Sequence, residues 1–299
     1  MRVVIVHNSA AGEGQHDDES LVGLIRRAGH EAAYFSSRDA AWKSAIDDRT
    51  DVVAVAGGDG TVAAVAMVMA GHRVPVAVLP LGTANNISRA LGQADAPYED
   101  LVADWAAGRP QRFDIGVARG PWGTFHFLES VGAGLLADSM AEINAGRADH
   151  IARARGAAGR MAEARGLLHR LLGRMAAIPF AVSVDGHDHS GEYFLLEVLN
   201  FGASGPNLRL APEAVAFDGL LDVVLVDHHH HRDLADQLSS SPQAPALPVY
   251  QGRQITLSCD RCTLHLDDEV WARQQPGEDP IVVELFIEPQ ALTFLVSPA

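Results

Sequence analysis

The chain has 299 residues, 47% apolar and 20% charged, the balance of a folded globular protein of about two domains at ~150 residues each. Its 23 basic and 38 acidic side chains leave a net charge of −15, which argues against a general nucleic-acid binder, because such binding needs a phosphate-neutralising surface. Lys43 is the one lysine among the basic residues; with no G-x-x-x-x-G-K-[ST] run and no V-A-I-K-like strand around it, a Walker-type P-loop is excluded and a protein-kinase site disfavoured.

The first 120 residues alternate between strand and helix patterns. Arg2 to Val6 reads as a buried strand, Asn8 to Gln15 as a glycine-containing loop, and Asp17 to Ala28 as a helix with acids at its start and arginines at its end. Glu31 to Phe35 is a strand and Asp39 to Ile46 a short helix. Asp51 to Ala56 is a strand followed by a helix over Val62 to Ala70. Val74 to Leu79 is a strand followed by a helix over Ala84 to Leu91. Continuous apolar strands alternating with helices predict a parallel sheet covered on both faces, an α/β (Rossmann-like) domain.

After about residue 112 the pattern becomes strand-rich. Strands are predicted over Phe113–Ala118, Thr124–Val131, Phe180–Val184, Tyr193–Asn200, Leu221–Val226, Gln254–Ser258, Cys262–Leu266, Ile281–Ile287 and Leu292–Val296. Turn residues separate most of them, as in an antiparallel sandwich or barrel. One or two helices fall between Ala137 and Met175, and Ser239 to Pro248 is a Ser/Pro/Ala loop. The expected division is 1–120, with 290–299 returning, and a β-sandwich over 121–289 with a helical insertion near 137–175.

Two motifs carry chemistry. Gly57-Gly58-Asp59-Gly60-Thr61 lies between a buried strand and a helix, where glycines allow a sharp turn and the helix start offers amides to phosphate oxygens. Asp59 would not bind phosphate itself; it suits a metal ion, a ribose hydroxyl or a water. Some twenty residues on, at the next strand-to-helix junction, comes Pro80-Leu81-Gly82-Thr83-Ala84-Asn85-Asn86-Ile87-Ser88-Arg89. Both junctions fall at the carboxyl ends of parallel strands, where ligands bind. The loop Asn8 to Gly12 follows the first strand and faces the same edge.

Gly-Gly-Asp-Gly-Thr followed by Pro-x-Gly-Thr-x-Asn resembles the paired signature of the diacylglycerol kinase catalytic-domain family, which includes bacterial lipid kinases and, more distantly, sphingosine and NAD kinases. The resemblance continues through Phe113-Asp114-Ile115-Gly116, Phe217-Asp218-Gly219-Leu220-Leu221-Asp222 and Leu266-Asp267-Asp268-Glu269. It implies an NAD kinase-like two-domain fold and an ATP-dependent, Mg²⁺-using kinase acting on a hydroxyl of a lipid. The implied nucleotide-binding residues are Asn8, Ser36, Ser37, Gly57, Gly58, Asp59, Gly60, Thr61, Val62, Ala63, Gly82, Thr83 and Asn85. Glu269 is the implied general base and Asp267 the second choice, or a group that orients Glu269 or holds metal; Asp59 completes the catalytic set. A magnesium site would use the Val215 carbonyl, the Asp218 side chain and the Leu220 carbonyl.

Two departures stand out. Asp268 occupies a position usually taken by glycine; if that position needs positive φ, aspartate tolerates it at modest cost. Asn86 replaces an aspartate that in relatives forms a carboxylate–water–metal network with the positions of Asp59 and Asp114. These departures keep open a non-catalytic nucleotide- or lipid-binding protein, and an NAD kinase or other small-molecule kinase is the rival enzyme.

The remaining features have plainer readings. Cys259 and Cys262 are expected to be ordinary thiols, and His228 to His231 a solvated loop after a strand. Residues 147–174 carry seven arginines against Asp149 and Glu163, with leucines beside them. A surface helix is the simpler reading and a peripheral contact with an anionic membrane the functional one. The opening run Val3 to Val6 is too short for a signal peptide, and no apolar stretch reaches the ~18 residues of a span. The expectation is a soluble cytoplasmic protein, peripheral to a membrane at most, with no nucleic-acid partner; a homodimer is left open.

Overall fold

The computed structural model describes residues 1–12, 17–239, 245–260, 262–271 and 280–298. It divides into two compact units, Met1–Phe113 with Gln290–Ala299, and Asp114–Pro289. The division at residue 113 falls inside a single strand, Arg109–Gly120.

In chain order the first unit contains β1 (Arg2–His7), α1 (Asp18–Arg27), β2 (Glu31–Ser36), α2 (Ala41–Ala45), β3 (Val52–Gly57), α3 (Asp59–Met69), β4 (Val76–Pro80), α4 (Asn86–Ala90) and α5 (Tyr98–Asp104). Strands β2, β1, β3 and β4 lie side by side and parallel. Phe294, near the chain's end, pairs parallel with Val76 on β4, so the returning strand joins this sheet. Strand β3 is buried along its whole length, as a continuous apolar run in a parallel sheet requires. Helix α1 is capped by Asp17, whose carboxylate accepts the Ser20 amide at 2.8 Å. Helix α3 begins at Asp59, three residues before its first apolar residue, because the extended Gly58 is its cap. Helix α5 has no counterpart in the sequence expectation; Pro97 precedes it and Glu99 and Asp100 sit in its first turn, a favourable start for seven residues.

The second unit takes up β5 (Arg109–Gly120), β6 (Gly123–Phe127), β7 (Ser130–Gly134), α6 (Leu135–Asn144), α7 (Asp149–Arg153), α8 (Gly156–Leu172), β8 (Ile178–Val184), β9 (His187–Asp188), β10 (Gly191–Tyr193), β11 (Leu195–Leu199), β12 (Leu221–Val226), α9 (His231–Leu238), β13 (Val249–Gly252), β14 (Gln254–Cys259), β15 (Leu264–Leu266), β16 (Glu269–Trp271) and β17 (Ile281–Val296). One sheet of the sandwich runs β10-β8-β14-β17, and the other β13-β12-β11-β7-β15-β16. Alternate residues of both sheets, Val182, Leu257 and Val283 from one and Val131, Val198, Val223 and Leu264 from the other, form one apolar core. The opposite face of the six-stranded sheet carries Leu195, Leu199, Val224 and Val226, which pack with leucines of α6, α8 and α9.

The predicted strand over 124–131 is two strands, β6 and β7, broken at Leu128 and Glu129, whose amides go to a side chain. The strands predicted over 281–287 and 292–296 are one, β17. Helix α9 starts at His231, inside the expected histidine loop; His230 bonds Asp227 at 2.8 Å just before it. Of the Ser/Pro/Ala loop, 240–244 lie outside the described residues. Cys259 and Cys262 form a disulfide, correcting the reading of two thiols. Leu167, Leu168, Leu171 and Leu172 of α8 are buried in the core.

Candidate active site

In the first unit three loops meet at the carboxyl ends of β1, β3 and β4. Asn8 donates its side-chain amide to Thr61 Oγ1 at 3.1 Å, and its backbone amide to the Ala56 carbonyl at 2.9 Å. A Cβ on Gly82 would lie 2.5 Å from Gly58 Cα and 2.7 Å from Asn85 Oδ1. A Cβ on Gly57 would lie 2.7 Å from Thr61 Cβ. The glycines of the two motifs are therefore needed for contact between the loops as well as for turning. Asn85 adopts φ 52° and closes its own loop. Its Oδ1 accepts the Gly82 amide at 2.8 Å, and its Nδ2 donates to the Pro80 and Gly82 carbonyls at 3.2 and 3.1 Å.

Asp59 sits in the first turn of α3, and its Oδ1 accepts the Ile87 amide in the first turn of α4 at 2.9 Å. The carboxylate thus links the two motifs directly, a contact that the sequence reading of a metal, ribose or water partner does not include. The first turn of α3 closes on the Gly58 carbonyl, which accepts the Thr61 and Val62 amides, both at 3.0 Å. The Asp59 and Gly60 amides precede these at the positive end of the helix. Val62 is buried in the core, so its side chain serves packing. Ser36 and Ser37 stand one strand further along the same edge: Ser36 pairs with His7, and the Ser37 amide bonds the His7 carbonyl at 2.8 Å. Gly82 and Thr83 are half-buried. Asn86 is 2% exposed.

In the second unit the Asp267–Asp268 turn joins β15 to β16. The left-handed residue is Asp267, with φ 46°; Asp268 has no positive φ, so the aspartate there carries no backbone penalty of the kind the sequence suggested. The Asp267 carboxylate accepts three amides, from Leu128, Glu129 and Ser130, at 2.9, 2.8 and 3.1 Å. Its backbone amide donates to the Ser130 carbonyl at 2.8 Å. Such a carboxylate is an anchor for the turn, which matches the orienting role better than that of a base. Glu269 opens β16 as an exposed residue and is the register partner of Leu266 across the turn.

From the anchored segment 128–130 a chain of hydrogen bonds leads to the Asp218 loop. Asn200 donates to the carbonyls of Leu128 and Asp114 at 3.0 and 2.9 Å. The buried Asp114 accepts the Gly219 amide at 2.8 Å, and Asp218 Oδ1 accepts the Leu220 amide at 2.9 Å. Asp218 is exposed, and the Val215 carbonyl accepts the Phe217 amide at 2.8 Å. Among the described residues no group of three or more His, Cys, Asp or Glu side chains is placed to hold a metal ion. An ion here would take one carboxylate, the two carbonyls and water, hard oxygen donors that suit magnesium. Sequence reasoning missed Asn200 and the segment 128–130. The signal available was a polar residue closing the leucine-rich strand Leu195 to Leu199.

Of the seven arginines in 147–174, Arg147 pairs with Glu142 at 2.8 Å and Arg153 with Asp149 at 3.4 Å. Arg165 donates to the Pro206 and Asn207 carbonyls at 3.0 and 2.6 Å. Among the described residues no helix is long and apolar enough to cross a membrane.

The profile of the diacylglycerol kinase catalytic domain matches residues 2–118, and that of the YegS C-terminal NAD kinase beta sandwich-like domain matches 132–296. The chain belongs to the diacylglycerol kinase/YegS-like lipid kinase family. It is 27% identical over 215 residues to "Diacylglycerol kinase" of Mycobacterium tuberculosis, a match covering 71% of this chain and 64% of that one. It is 32% identical over 199 residues to "Probable lipid kinase YegS-like" of Xanthomonas campestris, covering 61% of this chain and 58% of that one. The match therefore spans less than two thirds of either relative. A crystal structure of a diacylglycerol kinase from Bacillus anthracis shares the fold, with a TM-score of 0.68 at 17% identity over 99% of this chain and 97% of that one. The α/β unit and the β-sandwich unit follow the family's order.

Proposed function

We propose that this family member is a kinase that transfers the γ-phosphoryl group of ATP to a hydroxyl of a lipid acceptor of the diacylglycerol class. The observation that carries the reading is the direct bond between the paired motifs, Asp59 to the Ile87 amide at 2.9 Å. It makes the nucleotide signature one built site instead of two separate glycine turns.

Phosphoryl transfer is chiefly positioning and charge neutralisation. The Asp59 and Gly60 amides and the α3 dipole receive phosphate oxygens, and Asn8, Thr61, Gly82, Thr83 and Asn85 shape the loop edge. Val62 and Ala63 contribute through the backbone of the same turn. Magnesium, when bound, would add to the neutralising charge that backbone amides and arginine offer in a chain without a suitable lysine; Val215, Asp218 and Leu220 would hold it, by donor type. Glu269, exposed and next to an anchored turn, accepts the acceptor's hydroxyl proton. The Asp267 clamp fixes the backbone on which Glu269 stands. A membrane contact, if made through 147–174, would rest chiefly on arginines, since the leucines are in the core.

The test is label transfer from γ-labelled ATP, with Mg²⁺, to a bacterial lipid extract and in parallel to NAD. Label in a lipid product supports the reading. Label in NAD alone moves the protein to the rival kinase class. ATP binding without transfer to either leaves a non-catalytic binding protein.

A further inference from the structure

Glu197 on β11 and His265 on β15 are both register partners of Gly132 on the intervening β7. They stand two strands apart, ~10 Å at the usual strand spacing, yet their side chains meet. His265 Nε2 lies 2.9 and 3.1 Å from the Glu197 carboxylate oxygens. The contact passes over Gly132, where any Cβ would collide with the Glu197 carboxylate. Glu197 is 0% and His265 2% exposed.

The other ring nitrogen of His265, Nδ1, lies 3.1 Å from the backbone carbonyl of Asp267. A carbonyl can only accept, so Nδ1 carries a proton that points at Asp267. Nε2 then shares a second proton with Glu197, and the pair is neutral as a whole wherever that proton sits. Burial is the largest influence and pulls the His265 pKa down, but the Glu197 charge, its hydrogen bond and the contacts with Asp267 together outweigh it, so the net shift is upward.

This arrangement is costly to place in a core. It sets two ionisable groups in apolar strands and a glycine in mid-strand. Replacing a buried pair of this kind with well-packed apolar residues is often neutral or stabilising, so stability does not account for it. What the pair reaches does: Asp267 is the left-handed residue of the turn that presents Glu269.

We propose that Glu197 and His265 are positioning residues for the Asp267–Glu269 turn, with His265 Nδ1 holding the Asp267 carbonyl and Glu197 holding the imidazole. This rests on reading Glu269 as the base. The pair touches neither substrate nor the transferred group; it fixes the backbone that aims Glu269, and a misplacement of about 1 Å at such a group costs ~10²-fold in rate.

The test compares three variants of the full chain. In Glu197→Leu with His265→Leu an apolar pair fills the space. The melting temperature should stay near or above that of the wild type, while kcat falls ten- to a hundredfold with KM for ATP within twofold. Deuterium exchange in peptides covering 128–130 and 264–271 should speed up at least tenfold. Glu197→Gln keeps a side-chain donor for His265 Nε2 and leaves Nδ1–H on Asp267, so it should retain kcat within threefold. His265→Gln preserves a donor for Glu197 but not for Asp267, and should lose kcat like the double variant; it carries the test if the double variant does not fold. Wild-type exchange and kcat in the double variant or in His265→Gln would reduce the pair to core packing and overturn the proposal. If the wild-type protein phosphorylates no lipid, the kinase reading fails, while exchange at the turn still decides whether the pair holds it.

Discussion

The glycine loops of the first unit and the anchored turn of the second each fix a short polar segment at strand ends, by opposite means. In the first, backbone meets backbone: Gly58 and Gly82 approach so closely that a methyl group on either meets the other's Cα, at 3.2 and 2.5 Å respectively. In the second, side chains reach across strands to hold backbone, with Asp267 taking three amides, Asn200 two carbonyls and His265 one. The first construction depends above all on close backbone approach, and the second on hydrogen bonds made by side chains. Perturbations of each kind should therefore fail differently.

The largest effect is expected from Gly82→Ala. The clashing atoms are backbone and a side chain committed to three hydrogen bonds, so the loop must move. Catalytic efficiency, measured as kcat/KM for ATP from initial rates, should fall by ~10²-fold or more; a loss under tenfold would mean that close approach does not define this site. Asp59→Ala should lower activity by ~10²-fold with the fold retained by circular dichroism. Asp59→Asn keeps an acceptor for Ile87, so activity surviving in that variant would make the residue a tether and not a charge.

In the second unit Asp267→Ala leaves three amides without their acceptor. At about 1–3 kcal/mol for each buried unsatisfied group, partly relieved by water, urea unfolding should show a loss of about 3 kcal/mol. An unchanged midpoint would remove the anchor from the account. The smallest effect is expected at Asp222, 3% exposed on β12. Burial raises its carboxyl to about 6, and the Gln251 hydrogen bond only partly offsets this. A group raised in the folded state favours folding below its unfolded pKa, and that advantage is lost as pH rises through about 6. Asp222→Asn should therefore stabilise the protein by up to about 2–3 kcal/mol at pH 8 and by nothing near pH 4. A pH-independent difference would contradict the assignment.

The same contrast explains what the sequence made legible. A backbone-built site must write itself as glycines at strand–helix junctions, and Gly57 to Thr61 and Gly82 to Asn85 could be read directly. The strand–helix alternation of the first unit was equally plain, because β3 and β4 are continuous apolar runs. A site built from side chains crossing strands leaves scattered single letters. Glu197 inside Leu195 to Leu199, His265 between two leucines and Gly132 between Val131 and Ala133 are each anomalous for a core strand, but their partnership depends on register, which no local pattern supplies. The break between β6 and β7 was hidden for the same reason, since its cause, Asp267, lies some 139 residues from Leu128. A glycine cap hides the start of α3 at Asp59, three residues before its first apolar residue, and the histidine run hides α9 altogether.

The most direct test of the central claim pairs label transfer with ATP binding in Glu269→Gln, a near-isosteric change that removes only the capacity to take a proton. The wild-type protein, given γ-labelled ATP, Mg²⁺ and diacylglycerol in mixed vesicles, should label the lipid. Glu269→Gln should do so at least ~10²-fold more slowly, with ATP affinity by calorimetry within threefold. Full transfer by the variant, or loss of ATP binding in parallel with transfer, would contradict the assignment of Glu269 as the base.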